Sequence, residues 1–274
     1  MNTPVSGGRR AAATGPGHTA DSQGPHAPIT VRKVKLQIVF ASVTARVRPV
    51  PPAILWFAAS LLTWVALLGM VLTREGLAEN DGPLLGWLVQ HRGPGWTAAM
   101  EAVSSPAASA VVPAAALIAM LTVGLVARVW RPLTTLVLAM GGAGASGLVL
   151  KELVRRARPP VVTMLGVPET GWGFPSNHTL MTSALAGALV LIAWRATRRP
   201  GARAAALAAG VLAALLMGVS RLYVGDHWLT DVLASYAVAG AVLAAVAWTT
   251  AWRWPWWDRS APAAVPSRTA TTPN

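Results

Sequence analysis

Six apolar runs of about 20 residues each are the feature that most restricts how this chain can fold. A helix needs about 20 mainly apolar residues to cross the hydrocarbon core of a bilayer. Only 12% of the 274 residues are charged, about half the share of an ordinary soluble domain. The runs cover residues 53–73, 107–127, 133–153, 177–194, 204–222 and 229–250. The sequence therefore predicts an all-α integral membrane protein, a bundle of six transmembrane helices.

The segments outside these runs predict two tails and one interfacial stretch. Residues 1–52 are basic and rich in Gly, Pro, Thr and Ala, which predicts a disordered cytoplasmic tail. Residues 53–250 hold the six spans, the first of which begins too late for a secretory signal peptide. Residues 251–274 begin with a Trp-rich stretch typical of an interfacial aromatic belt and continue as a second tail. Residues 77–92 mix apolar side chains with acids, which predicts a short interfacial segment.

The basic residues predict the orientation of the bundle. Six spans place both termini on one side, and 16 of the 23 Lys and Arg residues fall on that side. The positive-inside rule therefore predicts that both termini lie in the cytoplasm. The expected location of the protein is the plasma membrane. The net charge of +13 is mainly a topology signal and does not indicate a nucleic-acid partner. Four of the other seven basic residues crowd into residues 151–158, and orientation does not explain that cluster.

Three polar segments lie at helix ends on the non-cytoplasmic face. They are KELVRRARP at residues 151–159, FPSNH at 174–178 and SRLYVGDHWLTD at 220–231. In the alternating topology, the ends of spans three and five and the starts of spans four and six meet the same face. We therefore expect one site at the extracytoplasmic helix ends.

The first segment predicts a Lys at a helix end and an Arg in the following loop. Lys151 and Arg158 are seven residues apart, and Pro159 disfavours helix at Arg158. Both side chains can then reach an anion at the interface. The alternative is that Lys151 extends to the membrane surface and the arginines bind lipid headgroups.

The second segment predicts a helix N-terminus. Ser176 fits the N-cap position, which leaves the backbone N–H groups of Asn177 and His178 free. Free N–H groups and the helix dipole bind phosphate at such a terminus. The alternative is a capped helix that carries an interfacial His.

The third segment places a His and an Asp four residues apart on the last helix. The carboxylate of Asp231 can accept a hydrogen bond from one nitrogen of His227 and leave the other nitrogen with a free lone pair. An ionisable residue in a span is by default a functional candidate. Asp226 is interpreted as the cap of this helix, a structural role.

Together these residues predict a phosphate site that contains no metal or other cofactor. Phosphoryl transfer needs positive groups that stabilise the negative charge on three phosphoryl oxygens, an in-line nucleophile and an acid for the leaving group. Cationic side chains and two histidines supply these needs, whereas a divalent metal site would want several carboxylates. The chain has no Cys, which excludes a Cys nucleophile, Cys-type metal sites and disulfides.

The pattern K-x6-RP, PSGH and SR-x5-H-x3-D resembles that of the type 2 phosphatidic acid phosphatases, membrane lipid phosphate phosphatases related to vanadium haloperoxidases. Ten of its eleven positions are matched in order and spacing, and the exception is Asn177, where Gly is usual. The resemblance implies that His227 is the nucleophile and forms a phosphohistidine, that Asp231 orients it, and that His178 protonates the leaving group. It also implies a phosphate cradle made of Lys151, Arg158, Ser176, the backbone N–H of Asn177, and Arg221.

The resemblance implies a metal-independent phosphatase that acts on a lipid phosphomonoester or diphosphate. Undecaprenyl diphosphate, phosphatidylglycerophosphate and phosphatidic acid are the candidate substrates. Two alternatives remain open at this point: a lipid-linked phosphotransferase, and a non-catalytic transporter or anion-binding protein of the membrane. Arg155 and Arg156 are outside the pattern and are interpreted as headgroup contacts or loop charges.

Overall fold

A computed structural model of the chain describes residues 51–251, and this part contains only helices, turns and loops. Its α-helices are α1 Pro52–Thr73, α2 Asp81–Gln90, α3 Pro94–Ser104, α4 Pro106–Ala127, α5 Arg131–Val154, α6 Asn177–Ala196, α7 Pro200–Tyr223 and α8 Leu229–Ala251. Two 3-10 helices cover Gly76–Asn80 and Val161–Thr163. The all-α prediction is confirmed. The expected tails, before residue 51 and after residue 251, lie outside the described residues.

The predicted spans coincide with six of these helices. Within the described residues, α1, α5, α6, α7 and α8 are long and apolar enough to cross a membrane. The remaining run forms α4, which has Pro113 inside it and a shorter apolar stretch, Pro113–Val126. Apolar length predicted the positions of these helices because a span must satisfy its own backbone hydrogen bonds while it faces lipid.

The segment between α1 and α4 contains more helix than the sequence predicted. The expected interfacial stretch at residues 77–92 is helical and comprises most of the Gly76–Asn80 turn and α2. Helix α3 was not predicted. It begins at Pro94, where proline is favoured because the first helical residue needs no backbone donor.

Helix α8 packs mainly against three other helices and forms the centre of the packing. It contacts α1, α5 and α6, and α6 also packs on α7. Small buried residues such as Ala143, Ala184 and Ala239 let these backbones approach closely. Large apolar side chains point outward on other faces, for example Leu62 with 70% and Leu212 with 67% of its surface exposed. These faces suit contact with lipid.

The end of α5 separates Lys151 from Arg158, as the sequence predicted. The helix stops at Val154, and Arg155 takes a left-handed conformation with φ of 48°. Lys151 is therefore in the last helical turn, while Arg158 lies in the loop that precedes Pro159.

Candidate active site

His227 is a fully buried side chain in the short loop between α7 and α8. Its Nε2 atom lies 3.0 Å from a terminal nitrogen of Arg158. Its Nδ1 atom lies 3.4 Å from Oδ2 of Asp231, a long contact, and has no well-aligned hydrogen-bond partner in the described part of the chain. Burial lowers the pKa of His227 to about 4, although Asp231 opposes this shift. The ring is therefore neutral at pH 7, and the two neighbours assign the proton to Nδ1 and the lone pair to Nε2.

Asp231 lies in the first turn of α8, where it also ties down the start of the helix. Its Oδ2 atom accepts a hydrogen bond from the backbone N–H of Trp228 at 3.1 Å, as the acid of a capping box does. The expectation that Asp226 caps this helix is wrong, because α8 begins only at Leu229. Asp226 instead forms an ion pair with Arg221 at 2.6 Å, and burial raises its pKa in spite of that partner.

Arg156 connects the Asp231 carboxylate to a second buried acid. One terminal nitrogen of its guanidinium lies 2.5 Å from Asp231, and the other lies 2.6 Å from Asp81. Asp81, at the start of α2, also accepts hydrogen bonds from the backbone N–H and the hydroxyl of Thr230 at 3.0 and 2.7 Å. The interpretation of Arg156 as a headgroup contact or loop charge is therefore wrong. Arg155, by contrast, is exposed, and among residues 51–251 it pairs only with the exposed Glu152.

Sequence reasoning missed Arg156 and Asp81, although one signal pointed to a partner. A carboxylate within a span needs a nearby positive charge, and the basic cluster at residues 151–158 holds more arginines than the pattern uses. The choice among those arginines depends on the fold. Arg156 and Asp231 are 75 residues apart in sequence.

Arg158 and Lys151 are held by backbone carbonyls of the loop between α5 and α6, and Arg158 also by one of the loop between α7 and α8. Arg158 donates hydrogen bonds to the carbonyls of Gly171 at 3.1 Å and Asp226 at 3.0 Å. Lys151 donates to the carbonyl of Trp172 at 2.5 Å. Both side chains are thus oriented by the loop between α5 and α6.

Ser176 occupies the N-cap position of α6, as predicted, but its side chain makes no capping hydrogen bond. Its hydroxyl oxygen instead accepts a hydrogen bond from Thr179 at 3.1 Å. Asn177, the departure from the usual Gly, points its side-chain oxygen at α5. A Cβ atom added at Gly147 would lie only 2.9 Å from that oxygen, so the Asn side chain depends on the absence of a side chain at position 147.

Glu169 lies between the two arginines and the two histidines of the site. Its carboxylate forms ion pairs with Arg158 at 2.8 Å and with Arg221, and it lies 3.2 Å from Nδ1 of His178 and 3.9 Å from Nε2 of His227. Burial alone would raise the pKa of Glu169, but the hydrogen bond with His178 and the two guanidinium groups hold it well below its usual range. The carboxylate is therefore ionised at neutral pH.

Four of the eight sequence-predicted site residues are brought together around this carboxylate. Arg158, Arg221, His178 and His227 all lie within 4 Å of it. Glu169 itself was missed. The available signal was that it is the only acid in the loop between Arg158 and Pro175. Such a site, with two guanidinium groups beside a neutral and buried imidazole, has the chemistry to bind an anion and to attack it with Nε2 of His227.

The region of the chain that holds this site is similar to known proteins. Residues 132–256, which contain every residue of the K-x6-RP, PSNH and SR-x5-H-x3-D segments, match the PAP2 superfamily. This match covers 125 of the 274 residues. A curated relative, phosphatidylglycerophosphatase B of Bacillus subtilis strain 168, is 32% identical over 92 residues. That match covers 33% of this chain and 44% of the relative, so it spans less than half the length of either protein.

One solved structure shares the fold of this chain. The crystal structure of a transmembrane PAP2 type phosphatidylglycerolphosphate phosphatase from Bacillus subtilis superposes with a TM-score of 0.59 at 22% identity, over 70% of this chain and 94% of that one. LpxE of Aquifex aeolicus gives a TM-score of 0.46 at 19% identity, over 62% of this chain and 94% of the other. The first of these comparisons supports the arrangement of the membrane helices.

Proposed function

We propose that this PAP2 protein is a membrane lipid phosphate phosphatase that removes phosphate from a lipid phosphomonoester or diphosphate through a phosphohistidine on His227. The observation that carries the proposal is the environment of His227. The ring is buried and neutral, one nitrogen faces Asp231, and the other faces Arg158 and the anion position. The name of the curated relative, a phosphatidylglycerophosphatase, supports the same class of reaction.

In the first step, Nε2 of His227 attacks the phosphorus of the substrate. The N–P bond forms as the bond between phosphorus and the leaving oxygen breaks, and that oxygen takes a proton from His178. Asp231 keeps the proton on Nδ1 of His227 and stabilises the positive charge that develops on the ring. His178 suits the acid role because it lies at the start of α6, across the anion position from His227.

In the second step, water cleaves the phosphohistidine. His178, now neutral, accepts a proton from the water as its oxygen attacks phosphorus and the N–P bond breaks. Inorganic phosphate leaves, and the two histidines return to their starting states. The chemistry therefore needs one water for each phosphate released.

In this proposal, cationic side chains of the protein stabilise the negative charge on the phosphate oxygens. Arg158 and Arg221 already hold a carboxylate at the position in front of His227, and Lys151 reaches the same loop. Guanidinium groups give bidentate contacts to phosphate and remain charged throughout the reaction. The free backbone N–H groups at the start of α6 add to this cradle, which includes Ser176 and Asn177. The reaction is proposed to need no metal ion.

A lipid substrate is favoured by an apolar cavity among the membrane helices. A cavity of about 510 Å³ lies between α1, α5 and α8, and its lining is almost entirely apolar. Leu150, the neighbour of Lys151 in sequence, lines it together with Phe57, Trp64 and Val242. We therefore assign the cavity to an apolar chain of the lipid whose phosphate reaches His227.

The proposed location is the plasma membrane, with cytoplasmic termini and an extracytoplasmic site. The unequal distribution of Lys and Arg supports this orientation. Phosphatidylglycerophosphate, phosphatidic acid and undecaprenyl diphosphate are the substrates to be compared.

The direct test is phosphate release by the detergent-purified protein from those three lipids, with and without a chelator and with and without vanadate. We expect turnover that resists the chelator, is blocked by vanadate, and is lost in His227→Ala. Loss of activity with the chelator would exclude the metal-free mechanism. A phosphate gain on a second lipid or sugar, in place of free phosphate, would indicate a transferase, and tight lipid phosphate binding without turnover would indicate a transporter.

A further inference from the structure

Glu169 occupies the position that the substrate phosphoryl group needs. Its carboxylate lies 3.9 Å from Nε2 of His227, the atom that attacks phosphorus in the proposed reaction. The same carboxylate pairs with Arg158 and Arg221, the guanidinium groups assigned to the phosphate. A carboxylate and a phosphoryl group cannot both fill this position, so the substrate has to displace Glu169.

The loop that carries Glu169 has the backbone features needed for such a movement. Glu169 lies three residues after Gly166 and two before Gly171, and both glycines adopt a positive φ, of 69° and 79°. Val167, two residues before Glu169, has 90% of its surface exposed. The side chain of Glu169 itself remains 27% exposed.

We propose that Glu169 is a specificity-determining residue, an internal competitor that a doubly charged phosphomonoester or a diphosphate displaces and a singly charged phosphodiester lipid does not. The inference rests on the proposed function of the same site. It concerns the choice between two classes of lipid that carry phosphate in the same membrane surface.

Charge is the first reason for this selectivity. A phosphomonoester carries nearly two negative charges at neutral pH, because its second pKa is near 6. Exchange of the Glu169 carboxylate for such a group adds negative charge among Arg158, Arg221 and Lys151. Exchange for a phosphodiester replaces one negative charge with one, and the tethered carboxylate has the advantage of a high effective concentration.

The number of oxygen atoms is the second reason. A phosphodiester offers two non-bridging oxygens, as many as the carboxylate, whereas a phosphomonoester offers three. Arg221 is 2% exposed, and its Nε atom makes no hydrogen bond within residues 51–251. One terminal nitrogen of Arg221 makes its ion pairs with both Glu169 and Asp226. The Nε donor of the same guanidinium is thus unused while Glu169 fills the site, and a third oxygen has a group to bind.

The test measures anion binding without turnover and then competition by a phosphodiester lipid. The variants are Glu169→Gln and the matched control Glu152→Gln, which removes the same charge from an exposed residue that forms an ion pair with the exposed Arg155. Calorimetry on the detergent-purified proteins gives the Kd for inorganic phosphate. Hydrolysis of phosphatidic acid in mixed micelles, with increasing phosphatidylglycerol, gives the inhibition constant of the phosphodiester.

We expect Glu169→Gln to bind inorganic phosphate about tenfold more tightly than the wild type and to become sensitive to phosphatidylglycerol, with an inhibition constant lowered about tenfold. Wild type and Glu152→Gln should resist phosphatidylglycerol equally. Glu169→Ala should change both constants in the same direction, which separates loss of the charge from any misfolding of a single variant.

Two results would overturn the inference. One is an unchanged phosphate Kd in both Glu169 variants. The other is a fall in kcat with no change in either constant, which would mean that Glu169 acts only through the proton of His178. Because the Kd is measured without turnover, it tests Glu169 even if the wild type hydrolyses no lipid, a result that would contradict the proposed function alone.

Discussion

At the scale of single residues, the environment of His227 explains how an imidazole can serve as a nucleophile at neutral pH. Burial keeps the ring neutral, and Asp231 and Arg158 contact opposite nitrogens. The same burial has a consequence for stability. The folded pKa is about 4, whereas the pKa of a solvent-exposed His is near 6.5.

The lowered pKa of His227 predicts a loss of stability in acid. Between about pH 6.5 and 4 the unfolded chain takes up a proton at His227 and the folded chain does not, so protonation favours unfolding. The free energy of unfolding is therefore highest above pH 6.5. It decreases as the pH falls toward 4, by at most about 3 kcal/mol. Thermal unfolding in detergent at pH 7 and pH 4.5 should show a smaller drop in Tm for His227→Gln than for the wild type. An equal drop would contradict the assignment.

Arg156 and Arg155 form a matched pair for the buried ionic network. Arg156→Met should lower both activity and Tm, because it leaves Asp81 and Asp231 buried without their cation, a loss of about 3–5 kcal/mol. Arg155→Met should leave both unchanged, since the ion pair of Arg155 with Glu152 is exposed. Thermal unfolding and phosphate release measured on both variants check this. Similar effects of the two substitutions would contradict the network.

Sequence reasoning identified the residues of the pattern but not those that surround them. The residues of the pattern were found because they lie at helix ends on one face and because their spacing resembles that of a known family. They include Lys151, Arg158, Arg221 and the two histidines. Glu169 was not found, because a lone acid in a loop has no periodicity or spacing to mark it. Its role depends on four contacts that only the folded chain creates.

At the scale of elements, the contact between α5 and α6 positions the α6 N-terminus that we propose to bind the phosphate. Gly147 on α5 gives space to the Asn177 side chain, whereas a Cβ atom added at Gly141 on the same helix would meet nothing within 4 Å. The two glycines therefore allow the fit of the helix pair to be tested at one helix with one substitution.

Gly147→Ala should lower kcat/KM several-fold and lower Tm, because its Cβ would lie 2.9 Å from Asn177 and 3.2 Å from Leu180. Gly141→Ala should be neutral or stabilising by up to about 1 kcal/mol, since Ala favours helix over Gly. Addition of Asn177→Gly to the Gly147→Ala variant should restore most of the activity. Failure of that rescue would show that Asn177 is not what Gly147 accommodates.

The cavity between α1, α5 and α8 can be tested in the same way. Ala241→Trp fills it, and Ala209→Trp places the same side chain on an exposed face of α7. We expect the first variant to lose about tenfold in kcat/KM for a long-chain lipid phosphate and little for a water-soluble phosphomonoester. The second should affect neither substrate. Equal losses with both substrates in Ala241→Trp would contradict the assignment of the cavity to a lipid chain.

The elements were the most predictable part of the structure. A run of about 20 apolar residues bounded by charges or proline leaves the chain little alternative to a membrane helix, so the six runs and the observed helices agree within a few residues. Helix α3 was missed, because its 11 residues are too few to span a membrane.

At the scale of the whole molecule, the distribution of basic residues predicts which side of the membrane carries the site. The absence of Cys from the chain allows single cysteines to be introduced without a background of other thiols. Val167→Cys, on the site loop, should react with a membrane-impermeant maleimide in intact cells. Gly201→Cys, exposed at the start of α7 on the other face, should react only after lysis. The reverse pattern would overturn the proposed orientation.

In the proposed reaction, the phosphoryl group is bound covalently to His227 before water releases it. The most direct measurement is a rapid acid-free quench of the purified protein with phosphatidic acid labelled in its phosphate, followed by mass spectrometry of the peptide that contains residues 222–231. We predict a phosphoryl group on His227 that is stable in base and labile in acid, and that is absent from His227→Ala. A label on another residue, or full turnover in His227→Ala, would contradict the account.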